Sequence, residues 1–346
     1  MPGSSESTDR SLQFAELAPL MRLADLMTPL AVRVAATLRL ADHIARGTTR
    51  LPDLAAAVGA DEEALRRLMR FLAARGIFTE PEKGTYELTK LSRLLLDDHP
   101  GRLRARFDLN GPVGRGDLAF IHLLDTVRTG RPSFAKMYGR SFWEDLNADA
   151  ERAAEFARMQ AANAARFGIE KEYDWHDVKH VVDVGGGNGT LLSRILEAHP
   201  HLQGTLVEMS ATAEQGRKLL AARGLADRCT VVEGSFFDPL PKGGDVYILS
   251  KVLHDWGDEE AEAILRRCAE AAGREGRVLI LEMVPTGKEN AQQFTYLDLH
   301  MLVYFGGKER TVKEYRKLAS AVGMDIRRVN QGTTGEVSIL ECVVRR

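Results

Sequence analysis

The chain has 346 residues, of which 44% are hydrophobic and 28% charged, and a formal charge of −2. That length accommodates two domains with sizeable cores, and the near-neutral balance supplies no global basic field for nucleic acid or a membrane surface. The three cysteines, Cys229, Cys268 and Cys342, lack metal-ligand or disulfide spacing. With no membrane-spanning run and no signal-peptide core, they fit a soluble protein of a reducing cytoplasm.

Residues 1–12 are polar and Ser-rich and are expected to form a disordered tail. A first domain is expected over residues 13–100. Leu20, Leu23, Leu26 and Met27 share one helical face, and Pro29 is expected to open a second helix, Ala31 to Ile44. That helix is apolar all round and needs cover, for which a dimer partner is a good candidate. From Leu51 to Leu88 the pattern reads helix, turn, helix, hairpin. Leu54, Ala57 and Val58 precede a turn at Gly59-Ala60-Asp61. Leu65, Leu68, Met69 and Leu72 follow at helical spacing, and Ile77–Glu80 and Thr85–Leu88 flank a small wing. This is a winged helix-turn-helix pattern. Arg66, Arg67, Arg70 and Arg75 would serve a DNA-binding reading, but Glu80, Glu82 and Glu87 in the wing would repel DNA. A structural or dimerising domain is the preferred reading.

Residues 101–175 read as a helical linker rich in aromatics and broken at Gly111-Pro112 and Gly130-Arg131-Pro132. Most of these rings should be core. Some are placed to line a flat apolar pocket, since clefts favour domain junctions.

Over residues 176–346 strands and helices alternate. Strands are expected at His180–Val184, Gly204–Glu208, Cys229–Glu233, Asp245–Ser250 and Arg277–Glu282, with helices around 190–198, 212–223 and 259–272. The expected fold class is α/β: a Rossmann-like, doubly wound, mostly parallel sheet behind a mainly helical N-terminal domain. Ligands then bind at the carboxyl ends of the strands, which carry Asp183, Glu208, Ser235, Ser250 and Glu282.

The first strand runs into Gly185-Gly186-Gly187-Asn188-Gly189 and then a helix. Such a turn lets backbone approach a ligand, and the helix N-terminus offers unpaired N–H groups. Thr190 stands where a dinucleotide fingerprint needs glycine. Glu208 follows about 20 residues on, the distance at which a carboxylate meets a ribose diol. Turn and acid together favour an adenosine ligand without a pyrophosphate, a description that S-adenosyl-L-methionine fits. After the fourth strand, His254 and Asp255 face the ligand crevice. Glu282 ends the fifth strand, and Glu309 precedes a helix beginning near Thr311. Two carboxylates beside one imidazole would hold its tautomer and stabilise the imidazolium after proton uptake.

In order, DVGGGNG at 183–189, Glu208, GSFFDPLP at 234–241, LHDW at 253–256, LEMV at 281–284 and GGKERT at 306–311 resemble the S-adenosyl-L-methionine-dependent O-methyltransferases of plant phenolic and bacterial polyketide-tailoring metabolism. The likeness spans nearly the whole chain. It implies methyl transfer to a phenolic hydroxyl of an aromatic, hydroxynaphthoate-like acceptor, S-adenosyl-L-homocysteine as product, and no metal. His254 falls at the family's general base, bracketed by Glu282 and Glu309, with Asp255 following. Asp183, Gly185, Gly187, Glu208, Ser235, Phe236 and Ser250 fall at the cofactor positions, although the family commonly has Asp where Ser235 stands. Phe156, Met159, Asn163, Met301 and Tyr304 fall at the acceptor pocket. The family also implies a homodimer whose N-terminal regions help close the partner's site. The alternatives are a hydroxylase or decarboxylase on the same fold, against which the intact His254-Asp255 pair argues, and a winged-helix regulator.

Overall fold

The computed structural model describes residues 16–164, 168–285, 290–332 and 337–345, and the expected tail at residues 1–12 lies outside them. The chain divides into two compact units between Arg115 and Gly116. The residues read as a linker, 101–175, are therefore shared between the units.

In the first unit, the Leu51–Val58 helix ends at Gly59, whose left-handed φ of 64° closes it. Asp61 then caps the Glu62–Ala73 helix by accepting the Ala64 N–H at 2.8 Å. Strands β1 (Phe78–Glu82) and β2 (Thr85–Leu88) form the antiparallel wing. Leu54, Leu65, Met69, Leu72, Phe78 and Tyr86 are buried together. The helix expected over Ala31–Ile44 is instead two. Asp25 holds the start of Met27–Thr37 by accepting the Met27 N–H at 2.9 Å, so the helix begins before Pro29. Arg39 adopts a left-handed φ of 53° and breaks the helix before Leu40–Ala45. Its guanidinium meets Asp97 at 2.6 Å. Ala35, Ala36, Leu40, Ala41 and Ile44 are buried inside their own unit rather than left for a partner. The exposed apolar row lies earlier, at Leu20, Met21, Leu23, Leu26 and Met27.

The second unit is built on a seven-stranded sheet. Its strands are β3 (His180–Val184), β4 (Gln203–Glu208), β5 (Cys229–Glu233), β6 (Val246–Ser250), β7 (Arg277–Glu282), β8 (Met324–Gln331) and β9 (Ser338–Val344), in the order β5-β4-β3-β6-β7-β9-β8. The five strands read from sequence are parallel; β9 and β8 add an antiparallel edge that sequence reading missed. Alternation sets the two faces. Val182, Val184, Tyr247, Leu249, Val278 and Ile280 bury one face under the Asp258–Ala272 and Val312–Ala321 helices. On the other, Val181, Leu206, Val246, Ile248, Leu279 and Leu281 pack under the Thr190–Ala198 helix. Leu192, Ile195 and Leu196 of that helix are fully buried, worth about 1.5–3 kcal/mol each. The order reverses at β3, whose neighbours are β4 and β6, so the crevice opens at the carboxyl ends of these strands.

Candidate active site

β3 delivers Asp183 and then the glycine turn. Gly185, Gly187 and Gly189 all have left-handed φ, at 68°, 59° and 77°, a conformation other residues rarely adopt. A Cβ on Gly185 would come within 3.1 Å of Val252 and 3.2 Å of the Phe236 ring, so the turn and the residues after β5 and β6 share one close space. At the end of β4 the Glu208 carboxylate accepts the Gly187 N–H at 3.0 Å and the Met209 N–H at 2.8 Å. Burial pushes Glu208 up, against those two N–H donors. Asp183 is fully buried, and neither carboxylate oxygen has a hydrogen-bond partner among the described residues. Burial, with Glu208 nearby, lifts it to about 7. A cradle that admits only glycine, beside buried Asp183 and half-buried Glu208, suits a ligand that is cationic and carries a diol. Phe236 stands edge-on to Phe237 and Trp256. The Ser235 hydroxyl accepts the Phe237 N–H at 3.2 Å and so braces this turn. Ser250 ends β6, half-buried.

The second cluster grows from β6 and β7. A single 3-10 turn, Leu253–Asp255, carries His254 and Asp255. Glu282 ends β7, fully buried. Glu309 follows a glycine turn and precedes the Val312–Ala321 helix, which Thr311 and Glu314 start with a capping box. His254 Nδ1 lies 2.8 Å from Glu309 Oε1 and 3.6 Å from Glu282 Oε2, and the backbone N–H of His254 donates to Glu282 Oε1 at 3.3 Å. Asp255 Oδ1 is 3.4 Å from Nε2. Thus the four residues read from sequence meet around one ring. Burial alone would depress the imidazole, but Glu282, Asp255 and Glu309 overcome that and lift it to about 9. Burial raises Asp255 to about 7 and also raises Glu282. Glu309, also buried, is nevertheless held low by His254. Atoms of His254, Glu282 and Glu309 lie within 4.8 Å of one another. An ionised Glu309 can only accept, which assigns the hydrogen of its bond with His254 to Nδ1 and leaves that nitrogen no lone pair for an ion.

Two residues without an assigned role hold this arrangement. Arg310 is fully buried and donates to the carbonyls of Leu253 and Trp256 at 2.8 Å each and to Asp258. It clamps the turn that carries His254. Asp298 accepts the Glu309 N–H at 2.9 Å, tying Glu309 to the Ala291–Tyr304 helix. Arg310 sits inside the GGKERT motif, a signal that sequence reading used only for its neighbour.

Met301 and Tyr304 lie buried on that helix. Tyr304 stacks on Phe142, with centroids 5.6 Å apart, and Phe142 meets Phe156 edge-on at 5.5 Å. Tyr304 also donates to Asp117, which meets His300 at 3.2 Å. A Cβ on Gly116 would overlap the Tyr304 ring at 2.1 Å, so the chain at Gly116-Asp117 is shaped around that ring. Met159 is half-buried on the Ala150–Ala164 helix, and the Asn163 side chain lies outside the described residues.

The O-methyltransferase domain family matches residues 120–325, and the O-methyltransferase dimerisation domain matches residues 21–98. The chain belongs to the S-adenosyl-L-methionine-dependent O-methyltransferases. Among solved structures, this O-methyltransferase is similar to NcsB1 from neocarzinostatin biosynthesis in complex with S-adenosylmethionine and 2-hydroxy-5-methyl naphthoic acid. The TM-score is 0.88 and the identity 47%, covering 93% of this chain and 98% of that one. The 2,7-dihydroxy-5-methyl-1-naphthoate 7-O-methyltransferase of Streptomyces carzinostaticus is 49% identical over 89% of this chain and 92% of its own length. Aclacinomycin 10-hydroxylase RdmB of Streptomyces purpurascens is 45% identical over 96% of this chain and 89% of its own. Among the described residues, no helix of this O-methyltransferase is long and apolar enough to cross a membrane.

Proposed function

We propose that this O-methyltransferase methylates a phenolic hydroxyl of an aromatic polyketide-type acceptor, such as a hydroxynaphthoate, with His254 as general base. The observation that carries the reading is the His254 ring, fixed through Nδ1 by Glu309 at 2.8 Å. Its Nε2 is then the nitrogen left to take the acceptor's proton. When bound, S-adenosyl-L-methionine supplies an electrophilic methyl on a sulfonium. Gly185, Gly187, Glu208 and Asp183 would hold it, with Phe236 against its adenine and Ser235 and Ser250 beside it. Met301, Tyr304, Phe156, Met159 and Asn163 would line the acceptor pocket.

A free phenol near pKa 10 and a free imidazole near 6.5 make full proton transfer uphill by about 5 kcal/mol. With His254 lifted to about 9, the mismatch shrinks to about 1.4 kcal/mol. Asp255, Glu282 and Glu309 therefore make the imidazole a base matched to a phenol. No metal is needed for this step.

The identity with naphthoate-modifying relatives supports the acceptor class. The exposed apolar residues Met21, Leu23, Leu26 and Met27, within the dimerisation domain, support a homodimer through the N-terminal helices. Against nucleic-acid binding, Arg66 and Arg67 are paired with Glu62 and Glu63, and Arg75 bonds to Thr28. A cytoplasmic location fits three free cysteines, two of them buried.

The likeness to a 10-hydroxylase favours a second reading, oxygen insertion on the same scaffold. Incubating the protein with methyl-labelled S-adenosyl-L-methionine and a panel of hydroxynaphthoates and anthraquinones decides between them. Methyl transfer appears as label in the product. Unlabelled product that has gained oxygen would favour the second reading and overturn the first.

A further inference from the structure

Lys251 stands between the end of β6 and the turn that carries His254, and its backbone is unusual. Its φ of 55° makes it one of three non-glycine residues with positive φ among those described. Its N–H still donates to Leu281 O at 3.1 Å, extending the β6–β7 pairing one residue past Ser250 before the chain turns away. Left-handed conformations of residues with a side chain persist only where the surroundings impose them, and they gather at functional sites. Here the turn brings the ammonium to 3.9 Å from Glu282 Oε2. That oxygen is buried and has no hydrogen-bond partner among the described residues. Glu282 in turn touches His254 at two points, its ring nitrogen and its backbone N–H.

We propose that Lys251 is a positioning residue that keeps the buried Glu282 carboxylate charged and so sets how tightly His254 holds its proton. The proposal rests on the reading of His254 as the base. Burial works against an ionised Glu282, and the Lys251 cation works with His254 to restore it. The same cation also favours ionised Asp255 and Glu309. Around the ring stand three carboxylates, Asp255, Glu282 and Glu309. Facing them are Lys251, the Arg310 guanidinium beside Glu309, and the Tyr315 hydroxyl, which burial keeps protonated. Lys251 is the cation of this set nearest to Glu282. A bound sulfonium would add a further positive charge to the same neighbourhood.

The sign follows from Coulomb's law. Removing the cation raises the proton affinity of Glu282, and a Glu282 that takes up a proton no longer holds the imidazolium, so His254 gives up its proton at lower pH. Lys251→Asn removes the charge while keeping a side chain that tolerates left-handed backbone, and Lys251→Arg keeps the charge. In Lys251→Asn the acid limb of kcat/KM should move down by about one pH unit, with a loss of up to about tenfold on the high-pH plateau as the base weakens. Lys251→Arg should leave the limb within a few tenths of the wild type. Nitrogen-15 NMR of the labelled histidines, with the His254 signal assigned by its absence in His254→Ala, should show the same downward move without any acceptor present. In a Glu282→Gln background, Lys251→Asn should add little further shift. An unmoved His254 titration in Lys251→Asn overturns the proposal, as does an equal loss at every pH in both variants. If His254→Ala retains full turnover, it is the reading of His254 as base that fails, while the NMR titration still judges Lys251.

Discussion

The backbone of Gly307 passes so close to His254 that a Cβ there would sit 2.1 Å from the His254 carbonyl oxygen and 2.5 Å from the carbonyl carbon of Asp255. The next residue, Lys308, donates its N–H to that same oxygen at 2.8 Å. The loop that carries Glu309 is thus stitched directly to the turn that carries the imidazole.

Gly307→Ala should push the two loops apart. Overpacking of this kind costs about 1–3 kcal/mol, visible as a lower urea midpoint. Because the cofactor cradle is formed by other residues, kcat should fall more than S-adenosyl-L-methionine affinity. An alanine variant with wild-type kcat would mean the close approach has no bearing on His254.

The pH dependence follows from the raised proton affinity of His254, at about 9. The base works only when neutral, so kcat/KM should rise with pH between about 7 and 9 rather than level off near 6.5. A profile already flat above about pH 7 would contradict the electrostatics assigned to Asp255, Glu282 and Glu309.

Glu309→Gln keeps an acceptor for Nδ1–H and removes the charge. A hydrogen bond to a charged group is worth about 1.5–3 kcal/mol, which corresponds to a loss of about 10–100-fold in kcat. The acid limb should move to lower pH, since an imidazolium loses one of its anions. Steady-state kinetics across pH reads both effects.

Arg310→Met tests the clamp. The carbonyls of Leu253 and Trp256 would lose their donor inside the protein, at about 1–3 kcal/mol for each group left unsatisfied. Chemical denaturation should show that loss, and activity should fall with it even though Arg310 touches no reacting atom.

The sheet was legible where strands are buried on both faces. Val246–Leu249 reads as an unbroken apolar run, and Val181–Val184 as one interrupted only by Asp183, because helices cover both sides. β8 was not legible: at the sheet edge it alternates buried Met324 and Ile326 with exposed Asp325, Arg327 and Arg328. The break at Arg39 left no local mark either, since arginine is a good helix former and its partner, Asp97, is 58 residues away. At the site, the order of motifs on a doubly wound sheet was enough to bring His254, Glu282 and Glu309 together. What escaped were the supports. Lys251, Asp298 and Arg310 act through contacts with Glu282, Glu309 and Asp258 that lie 11 to 52 residues away, or across adjacent strands. The same holds for Asp117 and Tyr304, 187 residues apart.

The most direct test of the account is the single-turnover rate of His254→Ala, measured beside its affinity for S-adenosyl-L-methionine. General-base assistance contributes about 10²–10⁴-fold, and the rate should fall by that factor while affinity stays within about threefold of wild type. A variant that transfers methyl to its phenolic acceptor at the wild-type rate would remove His254 from the chemistry and the account with it.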